Sequence, residues 1–106
     1  MDAGILLRDN RCVRCGHAVS SAWPGYNCHH RKLGNRSDNR PENLIILCGS
    51  GTVGCHGWVH HHPREAREHG WIVSKYKDPA EMPVDVWGLG LKLLTAEYRY
   101  EDYIAA

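Results

Sequence analysis

Two pairs of cysteines constrain this chain more than any other feature. Cys12 and Cys15 stand two residues apart with Gly16 directly after them, the form of a metal-binding knuckle in which glycine permits a tight reversal. Cys48 and Cys55 make a second pair, with three glycines among the six residues between them. In a reducing compartment such a quartet is expected to hold zinc in a tetrahedral thiolate site, with Zn–S near about 2.3 Å. Two disulfides or a redox pair are the competing readings. The lack of a signal-peptide pattern and of a thioredoxin-like βαβ pattern argues against them. A closed four-thiolate site has no open position, so this metal is expected to be structural. It would join segments more than thirty positions apart in a chain of 106 residues with eleven Gly, five Pro and no Phe. Structural zinc can contribute roughly 10 kcal/mol or more to folding, which would offset a thin core. The fifth cysteine, Cys28, reads as a small buried or half-buried residue rather than a ligand or nucleophile.

By length the chain is one domain, residues 1–106. Gly4–Asp9 suggests a short helix or turn leading into Cys12, and 18–25 a loop. Tyr26–Lys32 reads as a strand and Leu33–Glu42 as a loop of turn formers, with Leu44–Leu47 as the returning strand. After the flexible loop Gly49–Gly54, a helix is expected from Cys55 to about His61. Pro63 then suits the first position of a second helix, Arg64–His69, stopped by Gly70. Trp71–Lys75 reads as a strand, and Val84–Leu94 with Tyr98–Tyr103 as a small hairpin or extended segments. The expected fold is therefore a small zinc-stabilised α+β domain.

The stretch from Tyr26 to His60 carries the chemistry. On a strand His29 and His30 face opposite ways and so do different jobs. His56 and His60 lie four apart on the expected helix and share a face, while Cys55 precedes His56 directly. The order His-His-Arg, then Asn-Leu-Ile-Ile-Leu-Cys, then Gly-Cys-His resembles the HNH endonucleases over roughly residues 5–75, leaving 76–106 as a C-terminal extension. The resemblance implies a ββα-metal core with short flanking helices and C-terminal extended segments. It implies that His29 and His56 hold a catalytic divalent metal, that His30 is the general base, and that Asn43 braces the loop and orients that base. His60 falls where some relatives, such as the colicin DNases, add a third ligand. The extra four residues between Cys48 and Cys55 depart from the common pattern, but they lie between the zinc ligands and leave the helix in register. No carboxylate stands at a motif position, so Mn²⁺, Co²⁺ or Ni²⁺ should suit the ligands better than Mg²⁺; Asp38 and Glu42 are the nearest acids that could alter this.

These residue types fit phosphodiester hydrolysis. An imidazole, with an ordinary pKa near about 6.5, can take a proton from water, and a cation can stabilise charge on phosphate and leaving oxygen. The net charge is only +1, but Arg31, Lys32, Arg36 and Arg40 cluster against a single acid, Asp38, as a candidate phosphate-binding face. Arg31 and Arg40 in particular could clamp phosphates. His17, His61, His62 and His69 have no such partner logic and read as surface residues. The leading expectation is a DNA endonuclease of low intrinsic sequence specificity, nicking or cutting. It would be cytoplasmic, with no membrane partner, and similar to small HNH proteins of phages and their hosts. A second copy or phage packaging proteins are further candidate partners. The alternatives are a zinc-stabilised nucleic-acid-binding module without catalysis, and a protein-contact scaffold using Trp87, Tyr98, Tyr100 and Tyr103.

Overall fold

The computed structural model describes residues 3–34 and 37–104. It is a small α+β structure with helix α1 (Ala3–Asp9), a hairpin of β1 (Tyr26–His30) and β2 (Leu44–Cys48), helices α2 (Gly54–His61) and α3 (Pro63–Glu68), and a three-stranded meander of β3 (Val84–Val86), β4 (Gly90–Leu94) and β5 (Tyr100–Asp102). No helix among the described residues is long and apolar enough to cross a membrane.

The hairpin is antiparallel, with Tyr26 opposite Cys48 and His29 opposite Ile45. Strand β2 is buried along its whole length, because its alternating side chains enter two different apolar clusters. Ile45 and Leu47 join Cys12, Val13, Val59, Ile72, Val84 and Leu94 on one side. Leu44 and Ile46 meet Ile5 of α1 on the other, with Cys28 half-buried beside them. Val84, Val86 and Leu94 lie in the same cluster as Cys12, so the segment after residue 75 shares the core of the segment before it. Asp9 fastens α1 to this frame: its carboxylate accepts from Arg8, from the Ile46 N–H and from the Tyr100 hydroxyl of β5.

Two expectations are corrected. Trp71–Lys75 is not a strand. Gly70, at φ 77°, reverses the chain, and the Trp71 N–H returns to the Ala66 carbonyl to close α3. A Cβ at Gly70 would lie 1.9 Å from the Pro83 oxygen, so the reversal tolerates no side chain. Only Val73 pairs, in a single parallel bridge to Lys32; Trp71 and Ile72 are apolar because they fill the core.

The second correction concerns Arg31, expected to clamp phosphate. It is fully buried. Nε donates to the Gly70 carbonyl at 2.8 Å, one terminal nitrogen to Glu42 and Pro79 carbonyls at 2.8 and 3.2 Å, and the other to Met82 at 3.0 Å. With its donors occupied by backbone and no solvent contact, it holds the fold and cannot reach DNA. Burial, and then the charge of Arg8, pull its pKa down to about 9. Removing the guanidinium would orphan four carbonyls, each costing about 1–3 kcal/mol when buried and unpaired. Arg31→Met should therefore unfold the protein or cost at least about 3 kcal/mol in chemical denaturation. Arg31→Lys, with three donors on a single nitrogen, should recover only part; a loss below about 1 kcal/mol for either would refute this role.

Candidate metal centres

The four cysteines converge. Sγ atoms of Cys12, Cys15, Cys48 and Cys55 all lie within 4.8 Å of one another. The Cys15–Cys48 separation, 3.7 Å, is close to the edge, about 3.8 Å, of a tetrahedron with Zn–S near 2.3 Å. Cys12, Cys48 and Cys55 are buried and Cys15 is exposed. Local structure delivers them in two ways. The turn after Cys12 is closed by the Gly16 N–H on the Cys12 carbonyl. Gly49, at φ 88°, lets the chain leave β2 sharply enough for Cys55 to return at the start of α2, where its N–H points at the Cys48 sulfur. Without a cation the four sulfurs compete for protons. Cys12 is held well below the usual thiol range, first by a hydrogen bond from the Cys55 thiol, while Cys55 is pushed up by that same bond and then by burial. A divalent ion would let all four ionise, so the donor set fits zinc.

The histidines form a second cluster. His29 on β1 and His56 and His60 on α2 each bring a ring nitrogen within 4.8 Å of the others. His56 Nε2 and His60 Nε2 are 3.1 Å apart. That is the spacing of two ligands at about 2.1 Å from one ion, with an angle between them of roughly 95°. His29 is buried, and its Nε2 lies 2.9 Å from the Trp71 carbonyl. A carbonyl cannot donate, so the proton sits on Nε2 and the Nδ1 lone pair is free, the arrangement in which an outer hydrogen bond orients a metal-binding imidazole. Burial, and then the charges of His56 and His60, hold the His29 pKa down to about 3. His56 is also lowered, by burial and then by His60, and its buried Nδ1 has no protein partner. His29 and His56 kept neutral, with the His29 Nδ1 lone pair unclaimed, fit a divalent cation.

This cluster borders an open cleft of about 770 Å³ whose lining includes His30, Lys32, Gly34, Gly51 and Ile72. His30 is thus on the same cleft as His29, although the two are adjacent on a strand. Its Nε2 is 2.8 Å from the Asn39 side-chain oxygen. Asn43 is fully buried and does not bond His30. Its Oδ1 accepts from the Lys32 N–H and its Nδ2 donates to the Asp38 carbonyl, tying the two ends of the loop together. Asn43 thus bonds within the loop, and the direct contact to His30 comes from Asn39. Asn39 could not be singled out in a loop rich in turn formers, and the Trp71 carbonyl, being backbone, has no sequence signal.

The basic stretch is largely dispersed. Arg31 is interior, Arg36 lies outside the described residues, and Arg40 is paired with Asp38 at 2.9 Å and Asp78 at 3.4 Å. Lys32 remains on the cleft. Neither Asp38 nor Glu42 lines it. Three of the remaining histidines take local partners: His61 and His62 donate to Gly57 and Trp58 carbonyls within α2, and His69 pairs with Asp85 at 3.1 Å.

Two measurements follow from this geometry. Purified protein should contain about one zinc per chain in the quartet; Cys12→Ser should lose it and unfold, whereas Cys28→Ser should keep both zinc and fold. Elemental analysis of folded protein without zinc would rule the site out. For His29, a folded pKa held below the unfolded value means that its stability contribution is complete above about pH 6.5 and is lost as pH falls toward about 3. The stability advantage of wild type over His29→Asn in urea should therefore shrink steadily from pH 7 to pH 4, and a constant difference would contradict the buried neutral ring. Compared with known protein families, curated proteins and solved structures, the chain matches none, so the functional reading rests on these two clusters and on the motif order.

Proposed function

We propose that this chain is a metal-dependent DNA endonuclease built on the ββα-metal core of the HNH nucleases. One observation carries the reading: ligand nitrogens of His29, His56 and His60 converge beside a cleft that His30 also lines. The hairpin supplies His29 and His30, and the following helix supplies His56 and His60, in the order the HNH motif requires. A binding module without catalysis has no need for a buried neutral histidine beside two others.

In this reading His30 donates a hydrogen bond from Nε2–H to the Asn39 oxygen and keeps a lone pair on Nδ1. That nitrogen takes a proton from water as the water oxygen bonds to phosphorus. The bond from phosphorus to the 3′ oxygen breaks and that oxygen takes a proton from solvent, leaving 5′-phosphate and 3′-hydroxyl ends. His29, His56 and His60 would hold a divalent cation, which would supply charge stabilisation at the phosphate and the departing oxygen. Trp71 holds the His29 ring in orientation through its carbonyl, and Asn43 braces the loop that carries Asn39. Among the described residues that line the cleft, Lys32 is the cation available to a phosphate.

Supercoiled plasmid incubated with the protein should be nicked when Mn²⁺, Co²⁺ or Ni²⁺ is present, and at lower concentration than Mg²⁺ requires, because the nearby ligands are nitrogen. Chelator should abolish nicking. His30→Ala should lower the rate ~10²- to 10⁴-fold with its circular dichroism and DNA affinity unchanged. His56→Ala should raise the metal requirement more than His60→Ala. Absence of nicking with every metal, alongside retained DNA binding, would favour the non-catalytic module; near wild-type cleavage by His30→Ala would overturn the assignment of the base.

A further inference from the structure

Arg14 sits between the cysteines of the first pair and takes no part in the reading above. Its guanidinium carbon lies 3.8 Å from the centre of the Trp58 ring and 5.4 Å from that of Trp71. One terminal nitrogen donates toward the Cys55 sulfur at 3.3 Å. Its Nε is buried without a partner, and among the described residues no carboxylate forms an ion pair with it. A half-buried guanidinium is costly unless an anion faces it. The candidate anion is the thiolate cluster, because four thiolates around a divalent ion carry a net charge of about −2.

We infer that Arg14 is a positioning residue of the cysteine site. It donates an N–H···S bond to the Cys55 thiolate and offsets part of the cluster's negative charge, while Trp58 fixes its plane. A hydrogen bond and a positive charge both make a thiolate harder to protonate and less nucleophilic. Cys55 is the ligand where this matters most, since it opens α2 and is followed directly by His56. Loss of the Cys55–metal bond would loosen the start of the helix that carries the histidine cluster. Guanidinium suits the position better than ammonium, because it can lie flat on the indole and still aim a donor at sulfur.

The test uses the full chain loaded at the quartet with zinc or with Co²⁺. Wild type, Arg14→Met, Arg14→Gln and Arg14→Lys are compared by the sulfur-to-cobalt charge-transfer bands and by the rate of zinc release to a chromogenic chelator. In Arg14→Met the bands should move to lower energy, because a thiolate without its donor is easier to oxidise. Zinc release should be about 10-fold faster or more, the scale of losing an outer-shell partner. Arg14→Lys, which keeps charge without the planar fork, and Arg14→Gln, which keeps a donor without charge, should fall between the two. Should Arg14→Met fail to fold, those two variants decide the matter by the same bands. Unchanged bands with release within two-fold of wild type would overturn the inference and leave Arg14 as a packing residue. A wild-type chain that takes up no metal at the quartet would overturn it as well.

Discussion

The Arg31 guanidinium is buried where the β1–β2 hairpin, the reversal after α3 and the segment from Pro79 to Met82 come together, and it bonds a carbonyl from each. Four partial charges in fixed positions replace the water that this cation would otherwise keep. Burial, and then the charge of Arg8, still lower its pKa. The joint adds fixed polar contacts to the shared apolar core, and it ties together segments whose two sheets do not share a strand. Its reach extends to the histidine cluster. Gly70, which accepts from Arg31, precedes Trp71, whose carbonyl accepts from His29. An interior cation thus sets the position of the group that orients a candidate ligand.

Helix α2 couples the two clusters. Cys55 and His56 are consecutive at its start, and consecutive residues on a helix point about 100° apart, so one turn can serve two sites without either intruding on the other. His60 follows His56 by four residues and returns to the same face. A mere eight residues could not hold such a helix in isolation. It is held at its start by the cysteine quartet and along its length by Val59 in the core. The cysteine site, in which zinc fits, is therefore both a staple for a small core and the anchor of the histidine cluster.

Much of this was legible in the chain itself. The cysteine spacing, the i, i+4 histidines and the apolar run of β2 state their geometry locally, and the structure brings the four sulfurs together and, separately, the three ring nitrogens. The hairpin and the helices α2 and α3 fall close to where turn formers, Pro63 and Gly70 locate them. The failures share a cause. Trp71–Lys75 has the composition of a strand because core filling and sheet pairing select the same residue types. Arg31 has the composition of a phosphate contact because a guanidinium forks toward any oxygen, and the sequence does not say whether that oxygen belongs to phosphate or to backbone.

What the sequence by itself determined is the set of groups that can bind metal and the local elements that carry them, since ligand spacing, helical periodicity and turn chemistry act over a few residues. Only the tertiary structure decided the environment of each group. It placed Arg31 inside and left Lys32 on the cleft, gave His30 to Asn39 and Asn43 to the loop, and set a backbone carbonyl behind His29 and a guanidinium beside Cys55. Burial and hydrogen-bond partnership arise from contacts that range from within one hairpin, as for His30 and Asn39, to segments more than forty residues apart, as for His29 and Trp71, and the identity of a side chain does not specify what faces it.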